Sequence, residues 1–119
     1  MKRIIFLFSF ALLILSCEKA KIEPNPEIPN WLQDRIAHDE EIIKSNPQSG
    51  LDIAAWIRYY YDGNYYFEYL NLLSSAGPPT YNYEGTQIIF NLDTYLAYKS
   101  NRCCKYYIWK GSSYFEIDD

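Results

Sequence analysis

Apolar residues run from Ile4 to Leu15, broken only at Ser9, and Lys2 and Arg3 precede them. A helix rising ~1.5 Å per residue needs about 20 apolar residues to cross a ~30 Å hydrocarbon core, so this run is too short to span a bilayer. A charged start followed by a short apolar core is the pattern of an export signal. From Glu18 to Pro29 the apolar residues thin out, and Pro24, Pro26 and Pro29 stand among Glu, Lys and Asn. That composition cannot pack a core and predicts an extended tether. At ~3.1 Å per residue in polyproline geometry it reaches roughly 35 Å.

Beyond Pro29 the spacing becomes helical. Leu32, Ile36 and Ile43, with Trp31 and Ile42, recur on one face, and Asp34, Arg35, Asp39, Glu40 and Lys44 cover the other. Asn30 is the expected N-cap, with Gln33 completing a capping box. Pro47 disfavours the α conformation in the residue before it, which predicts a helix end near Ser45 or Asn46.

From Ile53 the pattern changes to strand. Trp56 to Tyr61 and Tyr65 to Leu70 flank Asp62-Gly63-Asn64, and aromatic runs around such a turn predict a hairpin. Leu72 to Thr80, with its Ser74-Ser75-Ala76-Gly77-Pro78-Pro79 core, predicts a loop. Thr80 to Tyr83 and Thr86 to Phe90, around Glu84-Gly85, predict a second hairpin. Lys105 to Trp109 and Tyr114 to Ile117, around Lys110-Gly111-Ser112-Ser113, predict a third. Asp93 to Tyr98 suits either a short helix or a strand. The expected fold class is α+β, one N-terminal amphipathic helix packed on one face of a small twisted antiparallel sheet built from β-hairpins.

At the end of the first apolar run stand Ile14-Leu15-Ser16-Cys17. A branched apolar residue, a tolerant position, a small residue and then Cys resemble the lipobox of bacterial lipoproteins, and the resemblance covers residues 1–17. It implies cleavage by signal peptidase II between Ser16 and Cys17, with a diacylglyceryl group on the Cys17 sulfur and acylation of the new amino group. A single acyl chain anchors only marginally, whereas two or more hold a protein at the membrane. The implied organisation is a signal peptide over 1–16, a lipidated Cys17 with a flexible tether over 17–29, and one small domain over 30–119. The implied location is the cell envelope, with the outer membrane favoured. Glu18-Lys19-Ala20-Lys21 carries neither a clear retention signal nor a clear surface-export signal.

A second resemblance lies in the domain itself. Pro29-Asn30-Trp31-Leu32, then Tyr59-Tyr60-Tyr61-Asp62-Gly63-Asn64-Tyr65-Tyr66-Phe67, then Ile108-Trp109-Lys110 resemble small uncharacterised lipoproteins of Bacteroidota. Those proteins carry further cysteines in mid-domain, where this sequence has none, and they bring no established activity.

Charge narrows the partners. Loss of Lys2 and Arg3 takes the basic residues from eleven to nine against fifteen acidic ones, a formal balance of −6. Affinity for phosphate backbones rests on clustered Lys and Arg, so nucleic acid is not an expected partner. The expected partners are the membrane, through the N-terminal lipid, and an envelope protein or glycan.

Candidate chemistry is sparse. His38, the single histidine, lies beside the charged helix face with no nucleophile in a recognisable motif, so no catalytic residue is assigned and the protein is not expected to be an enzyme. His38, Asp39 and Glu41 lack zinc-ligand spacing, and no metal or other cofactor is expected. Asp39-Glu40-Glu41 is expected to form a solvated helix face, and Asp118-Asp119 a charged tail. Cys103 and Cys104 are adjacent and cannot staple distant segments together. They are open to three states: thiols packed in a strand, a vicinal disulfide with a redox or conformational role, or an intermolecular bridge.

Tyrosine stands out, with thirteen residues and Tyr59, Tyr60, Tyr61, Tyr65, Tyr66 and Tyr69 gathered in one hairpin. Strand alternation predicts that about half face the helix and half face outward. Such rings either stabilise the sheet through cross-strand pairs or form a recognition surface, since tyrosine is enriched where proteins meet partners. The expected function is a non-catalytic binding or interaction module using this hairpin, the alternative being a small envelope enzyme or enzyme inhibitor.

Overall fold

The computed structural model describes residues 27–116. The signal segment, Cys17, the tether as far as residue 26, and Ile117, Asp118 and Asp119 lie outside the described residues. In chain order the elements are α1 (Asn30–Ser45), a 3-10 turn (Leu51–Ile53), β1 (Ala54–Tyr61), β2 (Asn64–Asn71), β3 (Thr80–Tyr81), β4 (Gln87–Ile88), α2 (Leu92–Asn101) and β5 (Cys103–Lys110). The strands form one antiparallel sheet in the order β4-β3-β2-β1-β5, which makes the domain α+β as expected.

The β1–β2 hairpin forms where the aromatic runs placed it. Tyr61 pairs with Asn64, so the turn is the two residues Asp62-Gly63, at φ 50° and 82°. Positive φ at both central positions matches the right-handed twist of the flanking strands. The second hairpin is shorter than expected, with only Thr80 opposite Ile88 and Tyr81 opposite Gln87. Gly85, at φ 91°, lets the turn close over Trp31, whose ring would lie 3.0 Å from any added Cβ. Trp31 Nε1 donates to the Tyr83 carbonyl at 2.7 Å, tying this turn to α1.

The third expected hairpin does not form. β5 instead pairs with β1, and Tyr114 to Glu116 adopt no regular structure. The backbone after Lys110 is claimed by the segment leading into β1, since Gly111 N donates to the Ala54 carbonyl and Ser113 N to the Asp52 carbonyl, each at 2.9 Å. Gly111 is buried, and a Cβ there would collide with the Asp52 backbone.

The helix ends differ in chemistry from the expectation. Pro29, not Asn30, occupies the N-cap of α1 and offers no side-chain cap; its carbonyl accepts from the amides of Leu32 and Gln33. Gln33 Nε2 reaches the Ile28 carbonyl at 2.8 Å, so the capping box proposed there is absent. A capping box does open α2: Asn91 Oδ1 accepts from Thr94 N at 2.8 Å, while Thr94 Oγ1 accepts from Asn91 N at 3.0 Å. These reciprocal bonds resolve the ambiguous Asp93–Tyr98 stretch as helix.

Helices pack on both faces of the sheet, not on one. On the first face Leu32 of α1 meets Trp56 and Phe67, with Trp31, Ile36, Tyr65, Tyr69 and Tyr81 around them. On the other, Ala55, Ile57 and Tyr59 form a second buried cluster, and Tyr98 of α2 lies edge-on to Tyr61 and Tyr66 at 5.3 and 5.6 Å. β1 is accordingly buried without a break from Ala54 to Tyr59.

Asp39 departs from its expected place on the solvated helix face. It is only 9% exposed and accepts a long bond, 3.5 Å, from Trp56 Nε1. The helical period explains this, because Leu32, Ile36, Asp39 and Ile43 fall at i, i+4, i+7 and i+11. Burial pushes the Asp39 carboxyl above its ordinary value of 3.8, against the opposing pull of Trp56, Arg35 and His38.

Candidate functional site

Strand alternation divides the six hairpin tyrosines between the faces. Tyr65 and Tyr69 join the α1 side, with Tyr60 edge-on to Tyr65 at 5.1 Å. Tyr59, Tyr61 and Tyr66 join the α2 side. Because both faces are covered, the expected outward half does not exist as an open surface: Tyr59 is 5% exposed and the other five are half-buried. Burial raises the Tyr66 and Tyr69 phenols above their ordinary value of 10.0.

What the α2 face does present is a partly enclosed pocket of about 200 Å³. Ile57, Tyr59, Glu68 and Leu70 supply its floor from the sheet, and Tyr95 and Lys99 supply one wall from α2. Arg102 and Lys105, on either side of the cysteine pair, supply another, with Pro78 and Tyr114 at the rim. The Tyr114 hydroxyl lies 3.3 Å from that of Tyr107, and burial followed by this bond pushes its pKa up to about 12.

Beneath the pocket lies a buried polar cluster. Glu68 is 3% exposed and pairs with Arg102 Nη1, while the Tyr98 hydroxyl donates to Glu68 Oε2 at 2.7 Å. The Arg102 guanidinium stacks 3.8 Å from the centre of the Tyr59 ring and 5.1 Å from that of Tyr98. Burial opposes the Arg102 charge, but Glu68, Tyr59 and Tyr98 outweigh it and hold its pKa above the ordinary arginine value. Burial, with Glu68 beside it, drives the Tyr98 phenol far above the usual tyrosine range. Both hydrogen donors to Glu68 therefore keep their protons.

The adjacent cysteines are joined as a Cys103–Cys104 disulfide, and both are exposed. Of the three states open from sequence, this is the vicinal bridge. It sits in a bulge: Arg58 pairs with Tyr106 and Tyr60 with Cys103, so Cys104 and Lys105 together face Tyr59. Cys104 has φ 66°, a left-handed backbone that L residues other than Asn and Asp rarely adopt. A second register shift separates Trp56 from Ile57, and two bulges on an edge strand blunt it as a template for further pairing.

His38 is exposed, on the outer side of α1. Among the described residues no group of three His, Cys, Asp or Glu side chains could hold a metal ion, and no helix is long and apolar enough to cross a membrane. No protein-family model, curated protein or solved structure matches the chain.

Glu68, Arg102 and Lys99, central to the pocket, were not singled out by the sequence pattern. One signal was present, a lone carboxylate inside the aromatic strand Tyr65-Tyr66-Phe67-Glu68-Tyr69-Leu70. A charge in such a run requires a partner, since charged groups are almost never buried unpaired. Its partner lies 34 positions away at the end of α2, beyond the reach of any local pattern.

Proposed function

We propose that this protein is a lipid-anchored, non-catalytic binding module of the bacterial cell envelope whose pocket takes single units of an acidic glycan. The observation that carries this is charge placement. Lys99, Arg102 and Lys105 converge on one small pocket against the single carboxylate of Glu68, in a chain whose formal balance is −4. Cations that gather in one concavity of an acidic protein focus the local field on an anion.

Size and lining support a sugar ring. About 200 Å³ is the room of roughly seven waters at ~30 Å³ each and falls below the ~300–1,000 Å³ of sites for larger ligands. Tyr95 and Tyr114 offer flat apolar area with polar tips, which suits a ring with one apolar face and a hydroxylated edge. The hairpin contributes through Tyr59, whose buried ring supports the Arg102 guanidinium in the pocket floor, and its other tyrosines brace the sheet on which the pocket stands.

The test compares a galacturonic-acid disaccharide with its neutral galactose counterpart by calorimetry on the acylated protein. The acidic sugar should bind more tightly, and Lys99→Glu with Lys105→Glu should weaken it by about tenfold or more while thermal unfolding changes little. Equal affinity for the two sugars, or indifference to the charge reversals, would refute the assignment.

Anchoring has its own test. Cys17→Ala should abolish incorporation of a fatty-acyl label and release the protein from the membrane fraction. Labelling that survived the substitution would remove the lipid from this account.

A further inference from the structure

We infer that the Cys103–Cys104 disulfide is a redox switch that sets the position of the pocket's cations. This rests on the pocket being the binding site. Its placement is the first ground: Arg102 immediately precedes the pair, Lys105 immediately follows it, and both line the pocket. Only Arg102 separates the bridge from the last residue of α2, and its amide still donates to the Tyr98 carbonyl at 2.9 Å. Any change in the backbone of the pair is transmitted to both cations through a single peptide link.

The second ground is that the bridge coincides with a backbone conformation that the residue disfavours. Cys104 holds φ 66° at the bulge where two residues of β5 face Tyr59. A disulfide across one peptide link couples the two residues' torsions. Once it opens, the steric preference for negative φ and the pull of an unbroken strand ladder both act to remove the bulge. Removing one residue from a bulge reverses which side chains face each side of the strand beyond it. Lys105 and Arg102 cannot then both keep their places, because Arg102 is held by Glu68. The two arrangements are therefore discrete.

The third ground is access, since both cysteines are exposed. The reductant is a dithiol. One of its thiolates attacks a bridge sulfur and breaks the S–S bond, giving a mixed disulfide, and its second thiol displaces the protein sulfur to close its own disulfide. Two electrons and two protons pass to Cys103 and Cys104, which become thiols, and the dithiol is oxidised. Exposed disulfides are the labile and regulatory class.

The experiment uses the acylated full chain, oxidised or treated with dithiothreitol, with the number of free thiols fixed by alkylation and mass. Amide exchange over residues 102–106 is read without ligand, and galacturonic-acid disaccharide affinity is read in parallel. Reduction should slow exchange in that segment, as the bulge closes into the ladder, and weaken binding about tenfold, within the ordinary span of coupled sites. Cys103→Ser with Cys104→Ser should behave as the reduced form and ignore dithiothreitol. Cys103→Ser with Cys104→Gly should bind like the oxidised form, because glycine adopts positive φ without a bridge. Unchanged exchange on reduction would overturn the switch whatever the binding result, and changed exchange with unchanged affinity would overturn its control of the pocket. Changed exchange with no sugar binding in either state would instead overturn the glycan assignment and leave the conformational switch established.

Discussion

Trp56→Ala is expected to lower the unfolding free energy by about 3–5 kcal/mol, the usual loss when a buried Trp is cut back to Ala. Trp56 is fully buried and is among the largest side chains in the core. Its ring lies 5.0 Å from that of Tyr69, 5.7 Å from Tyr81 and 6.0 Å from Trp31, with the Arg35 guanidinium 5.5 Å away. These neighbours come from α1, β2 and β3, so a cavity there loosens three elements at once. Removing the indole also strips Asp39 of its Nε1 donor while leaving the carboxyl buried. For a domain of this size the melting temperature should fall by roughly 4–8 °C per kcal/mol, a loss that consumes most of the stability of a domain at the low end of the ordinary range of about 5–15 kcal/mol. Trp56→Phe keeps most of the ring area and should lose much less. Urea unfolding followed by circular dichroism measures both, and a loss below about 1 kcal/mol for the alanine variant would mean that the core is not centred on this residue.

The elements that could be read from the chain are those whose signals are local. β1 and β2 announced themselves through aromatic runs around Asp62-Gly63, and α1 through Leu32, Ile36 and Ile43, because each pattern is completed within a few residues. The failures have a common physical origin in competition from distant segments. Tyr114 lies an ordinary turn away from Lys110, yet Gly111 and Ser113 spend their amides on Ala54 and Asp52, some sixty positions back, and β5 goes to β1 instead. Asp39 looked solvated because it is charged, although its spacing from Leu32 and Ile36 put it inward. The capping box was sought at Asn30 and lay instead at Asn91 and Thr94, three residues apart with Thr in place of the usual Glu or Gln.

The tyrosine cluster illustrates a more general limit. Alternation along β1 and β2 correctly separates Tyr60, Tyr65 and Tyr69 from Tyr59, Tyr61 and Tyr66, but alternation alone does not say whether the second face is open. The six consecutive buried residues of β1 mark a strand covered on both sides, and Ala54-Ala55-Trp56-Ile57 already carried that mark as a continuous apolar run. With α2 seated on the second face, aromatic rings that alternation had turned outward become packing and pocket floor. The pocket itself draws on β1, β2, α2, the α2–β5 joint and the segment after β5, so no stretch of sequence contains it.

Glu68→Ala should be almost as damaging as loss of Trp56, at about 3–5 kcal/mol, because it leaves the Arg102 charge in place without its buried partner. The Arg102 side chain is 12% exposed and that of Glu68 4%, so water cannot readily replace the lost carboxylate, and Tyr98 loses its acceptor as well. The rings of Tyr59 and Tyr98 still face the guanidinium and should recover part of the cost, on the order of 1 kcal/mol. Glu68→Gln keeps an acceptor for Tyr98 while removing the charge, and should fall between wild type and the alanine variant. Glu68→Met combined with Arg102→Met separates stability from function. Replacing a buried ion pair with apolar side chains of similar volume is often neutral or stabilising, so the double variant should lose only about 1–3 kcal/mol, the cost of leaving the buried Tyr98 hydroxyl without its acceptor. It should nevertheless lose affinity for the acidic sugar, because Arg102 supplies one of the three cations of the pocket. A double variant as unstable as Glu68→Ala would mean that the pair holds the fold together. The expected result, a stable domain with a weakened pocket, would mean that the buried pair fixes where Arg102 sits, at little net benefit to stability.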